Sequence, residues 1–279
     1  MENNLPNSQF KVLVLIPLYK TDFSTAEWFS FNRTLEVLKN YPICIACPHH
    51  LLIDFQTEAK SWPRKVLFQA FPDKYLGSIA GYNKLLKSFS FYRTFAQYEY
   101  LLIAQTDALI LSDQLSAWCN KGFSFIGAPF FNGFALPTKP LRLLGVGNGG
   151  LSLRRIPDFL RCESPLRYVP NFLAASPKSY LDLKGALKFI KHRLLFCLNR
   201  APLFPQVNED VYWSLLIPKK FCFFKVAPIT EAIEFAFDTE PSFLYDLNKE
   251  KLPFACHAWE KYDPDFWKTI LKKHGIDLP

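Results

Sequence analysis

The sequence lacks any apolar stretch that approaches the ~20 uncharged residues of a membrane-spanning helix, which argues against a helical membrane protein. Residues 1–8 contain no basic start followed by an apolar core, so we expect no secretion signal and a cytoplasmic protein. Internal repeats, low-complexity tracts and flexible linkers are also missing from the sequence. Their absence favours one compact domain over a repeat array or a modular chain.

Paired metal-binding cysteines are missing as well. Cys44 and Cys47 form a CxxC, but no second CxxC follows it, so the spacing does not predict a zinc site. Both lie in an apolar run, 43–47, that predicts a buried strand in which cysteine acts as a small hydrophobic residue. The seven cysteines are otherwise dispersed, and an odd, dispersed set is typical of a reducing compartment.

The overall residue composition and the net charge suit a folded protein with an anionic partner. Hydrophobic residues make up 49% of the chain and charged residues 21%, which is sufficient for a full core. Aromatic residues reach 16%, and such side chains either fill cores or line sugar and nucleobase pockets. The net charge of +8 favours nucleotide phosphates, nucleic acid or an anionic membrane surface as a partner.

One stretch in the middle of the first half organises the predicted fold. The apolar run Tyr100–Ala104 predicts a strand that is buried on both faces, as at the centre of a parallel sheet. Asp107 follows it closely, at the edge where open α/β sheets bind their ligands. A carboxylate in that position also commonly caps a turn, and the spacing alone leaves both roles open.

Strands and helices alternate through the first half, which predicts an α/β fold with a mixed central sheet flanked by helices. The predicted strands are 11–16, 41–47, 65–70 and 100–104, and the predicted helices are 24–40 and 78–95. In the second half we predict strands at 123–126 and 221–224, helices at 156–162, 181–200 and 263–273, a helix start at 208–216, and either a helix or a strand at 231–237.

Six motifs stand out in this order along the chain. They are SIAGYN (78–83), QTDA (105–108), WCNKGFSFIGAP (118–129), VGNGGLSLR (146–154), NEDVYW (208–213) and PFACHAWEKY (253–262). Together they resemble the GT-A family of nucleotide-sugar glycosyltransferases, and most closely a bacterial branch of unknown function encoded near polysaccharide genes. The resemblance covers about residues 11–268, and its motifs are specific as a set and weak singly.

The resemblance implies a single GT-A-like (Rossmann-type) domain with an elaborated C-terminal half. Residues 1–127 would form a nucleotide-binding half and residues 128–279 an acceptor and catalytic half. The implied reaction moves a hexose or N-acetylhexosamine from a nucleotide-diphosphate sugar, UDP being expected, to a saccharide or lipid-linked acceptor of polysaccharide or lipopolysaccharide synthesis. Such an enzyme would work in the cytoplasm, peripherally at the inner face of the membrane.

The residues that the resemblance assigns to the donor come from four segments. They are Pro17, Leu18, Tyr19, Lys20, Gly81, Asn83, Lys84, Thr106, Asn148, Gly149, Gly150 and Arg154. Backbone N–H groups at a helix start and a lysine beside them suit phosphate. Simpler roles stay open: Gly81 permits close helix packing, the glycines of 147–150 form a tight turn, and Arg154 pairs with a carboxylate instead of a phosphate.

A divalent cation, Mn²⁺ or Mg²⁺, is implied at Asp107 and His257. In the family two carboxylates of an Asp-x-Asp motif reach this cation, which prefers hard oxygen ligands and bridges the two phosphates. Here the corresponding run, Gln105–Asp107, carries one carboxylate, and His257 matches the C-terminal metal-binding histidine of the family. A metal-free enzyme that uses Lys and Arg on the phosphates is the alternative.

Asp210 and Glu209 are the predicted catalytic pair. Inverting transfer requires a carboxylate that takes the proton of the acceptor hydroxyl, a role we assign to Asp210, with Glu209 orienting the acceptor or a main-chain group. Acidic residues at a helix start also serve as caps and favour the helix dipole, and both roles are compatible.

The helix predicted at 181–200 interleaves basic and apolar residues, which suits either an anionic membrane surface or a packed helix with a solvated basic face. Two other functions compete with sugar transfer. A nucleotidyltransferase on a similar fold would carry a Gly-rich basic signature after the first strand, where residues 17–22 have none. A basic module for nucleic acid or glycan would show a contiguous basic face with an RNA-binding signature, and we expect no nucleic-acid partner.

Overall fold

The computed structural model describes residues 12–163 and 207–279. Within them six strands form a mixed sheet in the order β3-β2-β1-β4-β9-β6, with smaller sheets β10-β11-β5 and β7-β8 beside it. The strands are β1 Val12–Pro17, β2 Ile43–Pro48, β3 Leu67–Phe71, β4 Tyr100–Ala104, β5 Ala108–Ile110, β6 Phe125–Gly127, β7 Pro129–Phe131, β8 Leu143–Val146, β9 Leu151–Arg155, β10 Ala236–Phe237 and β11 Ala255–His257.

The helices flank this sheet, so the predicted α/β class is confirmed. They span Thr25–Val37, Leu52–Glu58, Asp73–Leu76, Ile79–Leu86, Phe89–Thr94, Leu115–Asn120, Ile156–Arg161, Ile229–Phe235, Pro241–Leu247 and Pro264–Lys273. A further helical segment runs through Glu209–Val211, a π-helical Tyr212–Leu216 and Ile217–Lys220. The predicted division into two functional halves stays a prediction, and the predicted helix 181–200 lies outside the described residues.

The strand Tyr100–Ala104 occupies the predicted central position. It pairs in parallel with β1 and antiparallel with β9, and all five of its residues are buried. Helices cover both faces of this part of the sheet, which gives two apolar cores, one on each side. Cys44 and Cys47 of β2 contribute to opposite cores, so they cannot share one zinc ion, and each is a buried hydrophobic residue as predicted.

Two predicted elements are wrong. The helix predicted at 78–95 is two helices, because Ser88 caps the second by accepting a hydrogen bond from the Phe91 N–H at 3.3 Å. The strand predicted at 221–224 is a turn in which the Phe224 N–H donates to the Phe221 carbonyl, 3.0 Å away. Both aromatic side chains are buried by this turn, which explains the apolar run.

The ambiguous segment 231–237 contains both structures, since the helix Ile229–Phe235 runs directly into β10. Ser24 caps the first long helix through a capping box with Glu27, as a serine before an apolar helix face predicts. Among the helices of the described residues, none combines the length and the apolar character that crossing a bilayer requires.

Candidate functional site

The predicted donor segments meet at one edge of the sheet. The parallel strands β1 and β4 end side by side, which places 18–20 next to 105–107. The 147–150 turn reaches the same edge because it leads into β9, and the Gln105 N–H donates to the Gly150 carbonyl at 2.8 Å. The carboxyl ends of strands in open α/β sheets are where ligands bind, so this edge is the candidate site.

A cleft of about 500 Å³ opens at this edge. It is lined by Tyr19, Leu76, Gly77, Ser78, Ile79, Tyr82, Asn83, Gln105, Gly149, Gly150, Asn208, Glu209 and Asp210. Six of these residues belong to the predicted site. None of the lining residues, which all come from the described part of the chain, is a lysine or an arginine.

Asp210 presents a carboxylate that the backbone orients. Its Oδ2 accepts a hydrogen bond from the Asn148 N–H at 3.1 Å, and its Oδ1 accepts one from the Val211 N–H at 2.8 Å. Burial raises the pKa of Asp210, and these backbone hydrogen bonds oppose part of the rise. The result is an oriented carboxylate with enhanced basicity at the cleft wall, which suits proton abstraction.

Glu209 is paired with a buried arginine. The two Arg154 terminal nitrogens donate to the two Glu209 carboxylate oxygens at 2.8 and 2.9 Å. Arg154 is 0% exposed and also donates to Tyr92 Oη and Ser152 Oγ. The prediction that Arg154 contacts a phosphate is therefore corrected: it has the alternative role, pairing with a carboxylate, and fixes the start of the 209–220 helical segment.

Gly149 must lack a side chain to admit this pair. A Cβ atom on Gly149 would lie 2.6 Å from Glu209 Oε1. Burial raises the pKa of Glu209, and the positive charge of Arg154 opposes that rise. Asn83 links the Ile79–Leu86 helix to the 209–220 helical segment, since its Oδ1 accepts the Glu209 N–H at 2.6 Å.

Asn148 shapes the turn with its side-chain oxygen, and its predicted contact with sugar hydroxyls stays a prediction. It is 5% exposed and has a φ of 86°. Its Oδ1 accepts hydrogen bonds from the Gly150 and Leu151 N–H groups at 2.8 and 2.9 Å, while its Nδ2 lies 3.1 Å from His257 Nδ1. The amide oxygen thus holds the turn, and Asn148 lies between Asp210, which accepts its backbone N–H, and His257.

The predicted metal ligands Asp107 and His257 do come together. His257 Nε2 lies 3.2 Å from Asp107 Oδ1, and His257 Nδ1 lies 3.2 Å from Asp238 Oδ1. Burial lowers the pKa of His257, but the two carboxylates outweigh it and raise the value to about 10. Burial also raises the pKa of Asp107, and the imidazole charge reverses this, so that the Asp107 pKa is lowered overall.

This acidic and imidazole cluster borders the cleft without lining it. Gln105 and Gly150 lie between this cluster and the cleft, and Gln105 Oε1 is 3.5 Å from His257 Nε2. In the part of the chain that the structure describes, no group of three or more His, Cys, Asp or Glu side chains has metal-site geometry. Sequence reasoning missed Asp238; its signal is a carboxylate at the end of an apolar run, similar to that of Asp107 two residues farther from its run.

The predicted residues after β1 have different environments. Leu18 is 1% exposed and its N–H donates to the Ala46 carbonyl at 2.8 Å, so it belongs to the core and not to the nucleotide site as predicted. Pro17 is buried at the end of β1, and Tyr19 lines the cleft with 52% of its surface exposed. Lys20 Nζ pairs with Glu27 at 2.8 Å.

Thr106 also approaches this pair, with its Oγ1 3.4 Å from Glu27 Oε1. Thr106 is 6% exposed and does not line the cleft. Glu27 therefore joins Lys20, Thr106 and the start of the first helix, which holds the loop after β1 against the end of β4.

Gly81 and Lys84 do not line the cleft, and the phosphate site predicted there stays a prediction. The Gly81 N–H donates to Ser78 Oγ at 3.1 Å, and a Cβ on Gly81 would lie 2.3 Å from the Lys74 carbonyl oxygen. Gly81 thus permits close helix packing, which was the simpler alternative. Lys84 is exposed and does not line the cleft. Tyr82, which sequence reasoning missed, lines the cleft and donates from Oη to the Gly149 carbonyl at 3.2 Å.

We expect Gly150→Ala to displace His257. The added Cβ would lie 2.0 Å from His257 Nε2 and 2.6 Å from Gln105 Oε1, contacts that force both side chains to move. Overpacking of this kind costs about 1–3 kcal/mol, measurable by urea unfolding. The control is Gly77→Ala, whose Cβ would meet its nearest atom, the Asp73 carbonyl oxygen, at an ordinary 3.4 Å. Equal stability of the two variants would contradict the assigned crowding.

Comparison with solved structures finds similarities at low sequence identity. The chain is 9% identical to the apo form of the glycosyltransferase GlyE from Streptococcus pneumoniae TIGR4, over 93% of this chain and 60% of that one, with a TM-score of 0.41. It is 8% identical to 4-diphosphocytidyl-2C-methyl-D-erythritol synthase from Anaerococcus prevotii DSM 20548, over 68% and 86%, with a TM-score of 0.34. Both scores are low, and neither similarity identifies an activity or a substrate for this chain.

No curated protein matches the sequence. A family model does match it, across residues 65–257, which is more than half of the chain. The matched span contains every motif of the cleft from SIAGYN to NEDVYW, and it ends at His257. The chain therefore belongs to the family described as protein of unknown function DUF5672.

Proposed function

We propose that this protein is an inverting glycosyltransferase that moves a sugar from a nucleotide-diphosphate donor, UDP-linked, to a saccharide or lipid-linked acceptor. One observation supports this most strongly: Asp210 lines a cleft at the carboxyl ends of β1 and β4, and its carboxylate is oriented by the Asn148 N–H at 3.1 Å. A cleft of about 500 Å³ is large enough for a small ligand of this kind.

Asp210 acts as the general base in this proposal. Its carboxylate takes the proton of the acceptor hydroxyl while that oxygen attacks the anomeric carbon. The bond from the anomeric carbon to the diphosphate breaks on the opposite face, and the nucleoside diphosphate leaves with the bonding electron pair. Glu209 does not touch the substrate in this scheme, because Arg154 occupies both of its carboxylate oxygens; it positions the backbone that carries Asp210.

The diphosphate requires positive charge that the cleft lining does not supply, since none of the lining residues in the described part is Lys or Arg. Asp107 and His257 fit a divalent cation: the buried Asp107 Oδ1 faces His257 Nε2 at 3.2 Å, and a cation held between them would take the place of the ring proton at Nε2. Mn²⁺ or Mg²⁺ bound by these two residues would offset the charge that develops on the leaving diphosphate. Asp238 then holds Nδ1 of the ring, which leaves Nε2 to face Asp107.

We expect Asp238→Ala to weaken Mn²⁺ binding by about 10-fold to 100-fold, the usual cost of removing a carboxylate that orients a metal-bound histidine. Titration followed by electron paramagnetic resonance of free Mn²⁺ measures this without any substrate. Asp246→Asn, an exposed carboxylate elsewhere, is the control. Unchanged affinity in Asp238→Ala would contradict the orienting role, and an absence of Mn²⁺ binding in the unaltered protein would contradict the cation site.

The pH dependence of transfer tests the state of Asp210. The base must be ionised, so activity falls as the pH decreases through its pKa, and burial raises that pKa. We therefore expect the acidic limb of kcat/KM to lie above the value of about 3.9 that an unperturbed Asp shows. The raised pKa also affects stability, because the folded state binds the Asp210 proton more tightly than the unfolded state does. This contribution to folding is fully present below the unfolded pKa and is lost as the pH rises through the folded pKa. An acidic limb at or below the unperturbed value would contradict the assignment.

The function itself is tested with a panel of nucleotide sugars. Donor hydrolysis and thermal shift, each with and without Mn²⁺, are measured for the unaltered protein and for Asp107→Ala and His257→Ala. We expect one UDP-sugar to be hydrolysed and to raise the Tm, with the Mn²⁺ effect lost in both variants. Stabilisation by single-stranded RNA alone, or formation of a nucleotide sugar from a nucleoside triphosphate and a sugar phosphate, would contradict sugar transfer.

A further inference from the structure

The hairpin formed by β7, β8 and their connection, residues 129–146, exposes large apolar side chains. Leu136 is 81% exposed, Leu144 50% and Phe134 45%. Single exposed apolar residues are ordinary on protein surfaces, but Phe134 and Leu136 lie two residues apart in the connection, and such a concentration marks a candidate interaction site.

The tip of this hairpin is held in place by its own hydrogen bonds. Asn132 Nδ2 donates to the Thr138 carbonyl and to Thr138 Oγ1, both at 2.7 Å, and Asn132 Oδ1 accepts the Arg142 N–H at 2.7 Å. The Thr138 N–H also donates to the Asn132 carbonyl at 3.0 Å. These bonds fix the loop while Phe134 and Leu136 stay in solvent, so the exposure belongs to an ordered conformation.

The charges on the hairpin have a single sign. Lys139 and Arg142 are both exposed, and residues 129–146 contain no aspartate or glutamate. Neither cation has an ion-pair partner among the described residues. Apolar side chains beside unopposed cations are what an anionic lipid surface binds, because the apolar groups enter the headgroup boundary while the cations meet lipid phosphates.

We propose that the 129–146 hairpin docks the protein on an anionic lipid bilayer through Phe134, Leu136, Lys139 and Arg142. A second copy of the chain fits this surface less well. In a two-fold dimer the same patch faces itself, which would bring four cations together without an acidic residue on either hairpin.

The hairpin leads directly into the candidate site. The Phe130 ring packs against Gly147, where an added Cβ would lie 1.7 Å from the ring, and Gly147 precedes Asn148. Tyr262, which follows the His257 segment, donates from Oη to the Ala135 carbonyl at 3.3 Å. Docking of the hairpin would thus place the cleft near the membrane surface, which suits a lipid-linked acceptor; this last step rests on the proposed function, whereas the docking does not.

Co-sedimentation of the full chain with vesicles tests the docking. The vesicles are phosphatidylcholine alone or phosphatidylcholine mixed with phosphatidylglycerol, at low and at high salt. We expect binding to the anionic vesicles that weakens with salt. Phe134→Ser/Leu136→Ser should lower the partition coefficient by at least about 10-fold, and Lys139→Gln/Arg142→Gln by roughly 30-fold.

Two matched controls lie elsewhere on the surface. Ile53→Ser/Leu67→Ser removes two apolar side chains that are 74% and 50% exposed, and Lys39→Gln/Lys60→Gln removes two exposed cations. Neither control should change binding by more than about twofold, since surface substitutions away from the patch have small effects. The docking proposal is overturned if the protein ignores anionic vesicles, if hairpin and control variants bind alike, or if the hairpin variants instead dissociate a dimer in size-exclusion chromatography.

Discussion

Asp210→Asn is expected to abolish sugar transfer while the protein keeps its fold and its affinity for the donor. Loss of a general base lowers the rate of the chemical step by about 100-fold to 10,000-fold. Asparagine has the same shape, and its Oδ1 can still accept one of the two hydrogen bonds that the Asn148 and Val211 N–H groups donate to Asp210. The measurement is kcat for transfer together with donor affinity by calorimetry.

A control carboxylate separates this effect from a change in net charge. Asp246→Asn alters an exposed carboxylate on the Pro241–Leu247 helix and should leave kcat unchanged. Turnover of Asp210→Asn within about tenfold of the unaltered protein would show that Asp210 is not the base, because that loss is smaller than general-base catalysis provides. A loss of donor affinity equal to the loss of kcat would assign Asp210 to binding.

Arg154→Met is expected to have the largest effect on stability. The change leaves the Glu209 carboxylate, which is 2% exposed, without the guanidinium that occupies both of its oxygens at 2.8 and 2.9 Å. Removing one partner of a buried ion pair costs about 3–5 kcal/mol, because the remaining charge is desolvated and uncompensated. Urea unfolding followed by tryptophan fluorescence measures this loss.

The next residue supplies a matched control. Arg155 pairs with Glu99 at 3.2 Å and with Asp158 at 3.5 Å, but its side chain is 37% exposed and Asp158 also accepts a hydrogen bond from Ser124, so Arg155→Met should cost about 1 kcal/mol and clearly less than Arg154→Met. The double variant Arg154→Met/Glu209→Met should be more stable than Arg154→Met, since apolar residues can replace a buried pair. Equal losses for Arg154→Met and Arg155→Met, or a double variant less stable than either single one, would contradict the assigned role of the pair.

The main strands of the sheet could be predicted because each is a short apolar run bounded by turn residues. Tyr100–Ala104 and the strand that ends at Pro17 are buried along their whole length, so their sequence pattern carries the signal directly. The split at Ser88 could not be predicted in this way. The helix before the split, Ile79–Leu86, ends at a carbonyl that accepts hydrogen bonds from Tyr92 Oη at 2.8 Å and from Trp213 Nε1 at 2.9 Å. Trp213 is distant in sequence, so the local pattern does not reveal this contact.

The place of the candidate site could be predicted, but several roles within it could not. Carboxylates and glycines at strand ends indicate the ligand-binding edge, and Asp210, Gly149 and Gly150 line the cleft there. Arg154 gives no sequence signal that separates a phosphate contact from an ion pair, since an arginine serves both. Its burial opposite Glu209 decides the question.

By itself the sequence determined the α/β class, the central strand and the edge of the sheet where polar residues gather, because hydrophobic periodicity and turn residues act over a few neighbouring positions. Only the tertiary structure decided that Arg154 neutralises Glu209, that Asp238 and Asp107 flank His257, and that Gly81 serves packing. The pairing of charges and the crowding around a glycine depend on atoms that are far apart in the chain, and folding alone brings these atoms within contact distance.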